Sequence, residues 1–144
     1  MKRRHFTALA LLGAPLGTSA WASAPAQPAS ALPIILIVGD SLSAEYGLRR
    51  GTGWVALLQE RLQTEKARYR VVNASISGDT TSGGSSRLPA LLKRHKPAVV
   101  VVELGGNDAL RGLPLGMTRD NLAAMAQQSR EAGARVLLLG MEMP

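Results

Sequence analysis

The sequence predicts an α/β fold in which a parallel sheet carries helices on both faces. Two segments, residues 34–38 and 98–104 ("AVVVVEL"), are almost entirely apolar and lack the alternation expected of a strand with one face in water. Segments with helical spacing lie between such strands, so strand and helix alternate along the chain. Continuous apolar strands are typical of the middle of a parallel sheet, and no internal repeat favours another architecture.

Each predicted element follows from its local pattern. Trp54, Val55, Leu58 and Leu62 recur at helical spacing, and Pro97 ends a later helix near His95. Loops are predicted at residues 75–86 and 105–114, which are rich in glycine and serine or carry a Gly-Gly turn. The predicted order is strand 34–38, helix 53–66, strand 70–73, a helix to residue 95, strand 98–104, helix 118–132 with Thr118 as N-cap and Gly133 at C′, and strand 135–139.

The parallel arrangement also predicts where a functional site lies. The loops that follow the strands of a parallel sheet meet at its carboxyl edge, where such sheets bind ligands. The polar and glycine-rich residues of this chain fall mainly in those loops. We therefore expect the site at that edge.

The N-terminus predicts export. Lys2, Arg3 and Arg4 form a positive segment, residues 6–20 are mostly apolar but short for a bilayer, and residues 20–22 match a small-x-small cleavage site. We expect a signal peptide at 1–22, read by the Sec or the twin-arginine route, and hence a secreted, periplasmic protein. An uncleaved membrane anchor is the alternative.

A Pro/Ala-rich leader at residues 23–32 then precedes the folded domain, residues 33–144.

The composition of the chain excludes several kinds of catalytic and binding site. The chain has no cysteine, which excludes disulfides, thiolate metal sites and a cysteine nucleophile. Without Lys2, Arg3 and Arg4, the net charge of +7 falls to +4, and aromatic residues make up only 3%. Neither value predicts a nucleic-acid partner, and we expect at most peripheral contact with anionic lipid. We expect no metal and no organic cofactor.

Three carboxyl-edge loops contain candidate catalytic groups. In "GDSLS" a serine, Ser41, directly follows a strand, but Asp40, Ser41 or Ser43 could simply satisfy backbone groups in a turn. In "NASISGDT" Gly78 could present a bare amide, or be an ordinary turn glycine. In "GGND" the Asn107 carboxamide could donate a hydrogen bond, or cap a short helix near 109–112.

Together the three loops supply the parts of an acyl-transfer site. A serine oxygen is a nucleophile, while a backbone N–H and an asparagine N–H are donors for a developing oxyanion. The strings "GDSLS", "NASISGDT" and "VELGGNDALRG" resemble, in this order, the first three sequence blocks of the SGNH (GDSL) hydrolase family. The match is close to its bacterial periplasmic multifunctional thioesterase, lysophospholipase and arylesterase group, and covers about residue 32 to the C-terminus.

The resemblance implies a flavodoxin-like three-layer α/β/α sandwich and a role for each matching residue. Ser41 would be the nucleophile, and its own N–H, the Gly78 N–H and the Asn107 side chain would form the oxyanion hole. Supporting roles fall to the neighbouring residues Asp40, Asp79, Gly106 and Asp108. Residues 109–114 would correspond to a mobile loop over the acyl chain, so that Leu110, Leu113 and Leu115 line the acyl site or merely pack that loop.

The same family places its catalytic base in a C-terminal Asp-x-x-His string, which this chain lacks. His5 belongs to the predicted signal peptide, and His95 precedes a strand, which places it at the opposite edge of the sheet. We therefore expect the catalytic His and Asp to be absent, the fold to be incomplete at the C-terminus, and the chain to be a truncated, weakly active or inactive form.

The function implied by the resemblance is that of a serine hydrolase for acyl esters or thioesters, including lysophospholipids and aryl esters, and we expect a monomer. A shortened domain that binds acyl or glycan ligands without turnover is the alternative. Nucleotide or flavin binding at the same edge is disfavoured, because the loop after residue 38 has neither a Walker lysine nor a G-x-G-x-x-G pattern.

Overall fold

The computed structural model describes residues 31–142. The predicted signal peptide and nearly all of the predicted leader lie outside the described residues. The elements, in chain order, are β1 (Ile34–Gly39), α1 (Trp54–Thr64), β2 (Arg70–Asn73), α2 (Thr81–His95), β3 (Val99–Glu103), α3 (Gly106–Leu110), α4 (Leu115–Glu131) and β4 (Arg135–Leu138).

The four strands form one parallel sheet in the order β2-β1-β3-β4. The two continuous apolar segments of the sequence are therefore the two central strands, as their lack of alternation predicts. Because all strands point the same way, the loops after β1, β2, β3 and β4 emerge at one edge. The predicted parallel α/β fold is confirmed.

Helices cover both faces of the sheet. One face of β1 and β3 packs against α2 and α4; its buried cluster includes Leu36, Val38, Leu88, Val100, Val102 and Met125. The other face packs against α1, where Ile37 and Val101 contact Val55. A sheet between two helical layers is the predicted three-layer arrangement.

The start of α2 differs from the sequence prediction. Residues 81–86, predicted as loop, form the first turns of the helix. The Thr80 hydroxyl accepts a hydrogen bond from Gly83 N, and the Asp108 carboxylate accepts one from Thr81 N at 2.9 Å. These two acceptors satisfy N–H groups that a helix start leaves unpaired, so tertiary contacts override the weak helical propensity of glycine and serine.

The predicted start of α4 is also wrong. The helix begins at Leu115 after Pro114, and Thr118 lies inside it instead of capping it. The Thr118 hydroxyl donates to Asp108 Oδ1 at 3.3 Å. Gly133 follows the C-cap residue with φ of +84°, which confirms its predicted C′ position.

Within residues 31–142, no helix is both long enough and apolar enough to cross a bilayer.

Candidate active site

Ser41 lies in the turn that follows β1, at the carboxyl edge. The Asp40 carbonyl accepts from Ala44 N at 2.9 Å, and the Asp40 carboxylate accepts from Leu42 N at 3.0 Å, so Asp40 holds the turn on both sides of Ser41. The Ser41 side chain is half-buried. Its own N–H donates to no acceptor among the described residues, and is available to a ligand.

Gly78 lies in the loop between β2 and α2. Its φ of +78° is a left-handed conformation that side-chain-bearing residues rarely adopt. Asp79 N bonds to the Ile76 carbonyl at 3.1 Å, which closes the turn around Gly78. Within residues 31–142 the Gly78 N–H also has no acceptor. The conformation therefore leaves a backbone amide free for a ligand, which is one of the two roles that the sequence leaves open for Gly78.

Arg87, on α2, anchors this loop. Its guanidinium makes a salt bridge with Asp79 Oδ2 at 2.8 Å, and both groups are mostly buried. It also donates to the Ala74 and Gly39 carbonyls. One side chain thus ties the Gly78 loop to the ends of β1 and β2. Charge-assisted bonds of this kind are stronger than neutral ones.

Asn107, in α3, joins the three loops. Its Nδ2 donates to Asp40 Oδ2 at 3.0 Å and to the Asp79 carbonyl at 3.0 Å. One contact reaches the turn of Ser41 and the other reaches the residue after Gly78. Both amide hydrogens are therefore engaged, so an incoming oxyanion has to share or displace one of these two bonds.

Asp108 fixes the position of α3 from behind. Its buried carboxylate accepts from Thr81 N, from Thr81 Oγ1 at 2.5 Å and from Thr118 Oγ1. These bonds link α3 to the first turns of α2 and α4. The supporting role that the resemblance implies for Asp108 therefore has a physical basis in this network.

A cleft of about 210 Å³ opens beside Ser41. The residues that border it are Asp40, Ser41, Leu42, Gly106, Asn107, Leu110 and Met141. A Cβ on Gly106 would lie 3.3 Å from Met141 Cε and 3.7 Å from Asp40 Oδ2, so the glycine lets these groups approach. Of the three leucines singled out in the sequence, Leu110 borders the cleft. In the described structure, Leu113 and Leu115 do not.

The described residues contain one histidine, His95. It is the last residue of α2, before β3 begins, whereas Ser41 follows the carboxyl end of β1. The two therefore lie at opposite edges of the sheet, as predicted. Within residues 31–142 no group of three or more His, Cys, Asp or Glu side chains is arranged to hold a metal ion.

Sequence reasoning missed Glu103. Its carboxyl group is buried at the end of β3, and Oε2 accepts from Ser43 Oγ at 2.6 Å. Burial raises the pKa of Glu103 above its usual range, the Ser43 hydrogen bond opposes this, and the negative charge of Asp40 adds to the rise. In the sequence, the feature that could have drawn attention to Glu103 is that a single acidic residue ends a run of four valines.

A half-buried serine with free backbone N–H groups and an asparagine beside it, at the carboxyl edge of a three-layer α/β fold, is an arrangement that the class of serine hydrolases uses for its nucleophile and oxyanion donors. Residues 37–144 match the model of the GDSL-like lipase/acylhydrolase family. The chain belongs to that family.

Curated relatives of this chain have esterase and thioesterase names. "Esterase TesA" of Pseudomonas aeruginosa is 60% identical over 115 residues, which cover 80% of this chain and 57% of the relative. "Thioesterase 1/protease 1/lysophospholipase L1" of Escherichia coli is 47% identical over 116 residues, or 81% of this chain and 54% of the relative. The chain thus spans about half the length of these curated relatives.

The fold of this chain also matches that of a solved structure. The crystal structure of TesA superposes with a TM-score of 0.76 at 61% sequence identity, over 77% of this chain and 62% of that one. The fold predicted from the family resemblance is therefore confirmed.

Proposed function

We propose that this protein is a serine hydrolase of carboxylic esters or thioesters, with Ser41 as nucleophile. The observation that carries the proposal is the convergence of Ser41, Gly78 and Asn107 on one edge, with the Ser41 and Gly78 N–H groups unused within residues 31–142. The names of the related proteins, esterase and thioesterase, support the same class of reaction.

The reaction follows from the parts. Ser41 Oγ attacks the acyl carbonyl carbon as a base removes its proton, and the carbonyl oxygen becomes an oxyanion. The Ser41 and Gly78 N–H groups and Asn107 Nδ2 donate to that oxygen. The alcohol or thiol leaves with a proton, and water then releases the acid from the acyl-serine.

The surroundings of the cleft support an apolar acyl group. A second cavity of about 320 Å³ adjoins it, lined by Val102, Leu104, Ala109, Leu122, Leu138 and other mostly apolar residues. Gly106 and Met141 border both cavities. We therefore propose small-molecule acyl esters and thioesters, with lysophospholipids among them, as substrates. Export to the periplasm and a monomeric state are further proposals, which rest on the N-terminal sequence and on the resemblance.

The proposal can be tested by adding imidazole, which serves as the base for Ser41 from solution. The only described histidine lies at the far edge, and imidazole is the group that a catalytic histidine contributes. We expect the 144-residue chain to hydrolyse p-nitrophenyl butyrate feebly alone and faster, with saturation in ester, when imidazole is added. Ser41→Ala should reduce the rate to that of imidazole alone, and Asn107→Ala should lower the excess over that background rate by about a hundredfold to a thousandfold.

The control is Ser77→Ala, on the exposed part of the Gly78 loop, which should leave the rate unchanged. Equal rates for the original chain and Ser41→Ala at every imidazole concentration would contradict the proposal. Saturable binding of a butyrate ester without any turnover would favour the non-catalytic alternative.

A further inference from the structure

A buried carboxyl group lies behind the nucleophile turn, and the proposed mechanism does not use it. Glu103 is the last residue of β3, is 4% exposed and pairs in register with Gly39 at the end of β1. A buried carboxyl is costly unless it is hydrogen-bonded. A valine, as at the four preceding positions, would fill this strand position without that cost.

The hydrogen bonds of Glu103 lead to the turn that carries Ser41. Its Oε2 accepts from Ser43 Oγ at 2.6 Å, and the Asp40 N–H points to the same oxygen at 3.4 Å. Asp40, which precedes Ser41, and Ser43, which follows it by two positions, thus contact the same oxygen atom. The other oxygen, Oε1, is buried without a partner among the described residues.

A third group extends this arrangement to α1. Trp54 Nε1 donates to Ser43 Oγ at 3.1 Å, so a chain of hydrogen bonds runs from Trp54 through Ser43 to Glu103. The space is tightly filled. A Cβ on Gly39 would lie 2.6 Å from Ser43 Oγ and 2.8 Å from Glu103 Oε2, so this packing requires glycine at position 39.

We propose that Glu103 is a positioning residue, which fixes the turn of residues 39–43 through Ser43 and so holds the Ser41 oxygen and N–H toward Asn107. Its catalytic meaning rests on the proposed function, but the ordering of the turn does not. A misplacement of about 1 Å in a reacting group can cost about a hundredfold in rate, which gives such an anchor its value.

The first test needs no turnover. In a Trp21→Phe background Trp54 is the only tryptophan, so its indole N–H gives a single NMR signal that reports the bond to Ser43. Glu103→Leu should shift that signal and speed hydrogen exchange of the Leu42 and Ala44 amides by about tenfold or more. Amides of the β1–β3 ladder should change by less than about twofold.

Two variants separate positioning from packing. Glu103→Gln keeps an acceptor for Ser43 and should retain most of the original exchange rates. Ser43→Ala removes the donor while Glu103 stays, and should speed the exchange of the Leu42 and Ala44 amides as Glu103→Leu does. If Glu103→Leu does not fold, Ser43→Ala provides the test. Glu60→Leu, on the exposed side of α1, is the matched control and should change none of these signals.

The second test is catalytic. With imidazole present, Glu103→Leu should lower kcat by about tenfold or more with KM nearly unchanged, and Glu103→Gln should recover most of it. Turn amides that exchange as in the original chain, or amides that accelerate equally in the turn and in the sheet, would overturn the proposal. If Ser41→Ala leaves the rate unchanged while the turn responds as expected, the proposed function fails and the positioning role stands.

Discussion

At the scale of single residues, Asp108 lets us predict a measurable loss of stability. Asp108→Ala leaves Thr81 N and Thr81 Oγ1, on a buried residue, without their acceptor. Unsatisfied buried donors and lost bonds to a charged group together should lower the free energy of unfolding by about 2–4 kcal/mol, measured by urea denaturation.

The matched control for Asp108 is Asp120→Ala. The Asp120 side chain is 72% exposed, and its contact is a surface pair with Arg119. Such pairs contribute little, so the change should stay within about 0.5 kcal/mol. Equal losses in the two variants would show that the buried network does not stabilise the protein.

The buried carboxyl group of Glu103 predicts that the stability of the protein depends on pH. Because burial raises its pKa in the folded protein above that in the unfolded chain, the folded state holds the proton more tightly. The stability that Glu103 contributes is therefore complete below the usual carboxyl pKa and is lost as pH rises through the raised value. The titratable neighbour on the adjacent turn is Asp40, whose charge acts in the same direction.

Glu103→Gln cannot lose a proton, so it should remove this dependence. Urea unfolding from about pH 4 to pH 8 should show the variant gaining stability relative to the original chain as pH rises. Glu60→Gln, on the exposed side of α1, should follow the original chain. Parallel stability curves for Glu103→Gln and the original chain would contradict the prediction.

The sequence identified candidate residues, but it did not identify most of the contacts that hold them. Ser41, Gly78 and Asn107 were identifiable because each lies in a loop after a strand, and parallel strands place such loops at one edge. Arg87 and Glu103 were not, because their roles depend on partners 8–63 residues away along the chain. Spacing along the chain does not reveal such contacts.

At the scale of elements, the glycines of α2 show why its start was predicted wrongly. Gly83 and Gly84 give a loop-like composition, but a Cβ on Gly84 would lie 2.3 Å from Leu104 Cδ1. The small residue lets α2 approach the residue that follows β3, and that packing stabilises the helix more than its own propensity does. Helix α1, whose apolar spacing is clear, agrees with its predicted bounds to within two residues.

Gly84→Ala should therefore destabilise the protein, although alanine favours a helix. Overpacking against Leu104 should outweigh the gain in propensity and lower the free energy of unfolding by about 1–2 kcal/mol. The control is Gly116→Ala in α4, where no atom outside the neighbouring backbone of the helix lies within 4 Å of the added Cβ. That change should be neutral or stabilising by less than about 1 kcal/mol. A Gly84→Ala variant as stable as the control in urea would contradict this interpretation of α2.

At the scale of the whole molecule, the two edges of the sheet differ. At β2 the Gln59 side chain of α1 accepts from Val71 N at 2.8 Å, which occupies a backbone donor of the edge strand. Within residues 31–142, β4 pairs only with β3, and Leu137 and Leu138 are 50% and 48% exposed. An open strand edge with apolar side chains is a template for pairing with another chain.

The proposed monomeric state is that of the dilute protein, and we expect the 144-residue chain to associate with itself through β4 as its concentration rises. Leu137→Lys places a charge on that edge strand and should shift the association to about tenfold higher concentration or abolish it, as measured by sedimentation velocity. Leu57→Lys adds the same charge at an exposed leucine of α1, 54% exposed and on a helix instead of an edge strand, and should not change the association. If both variants weaken association equally, net charge and not the β4 edge governs it, because a charge elsewhere on the surface would then act as well as one on the strand.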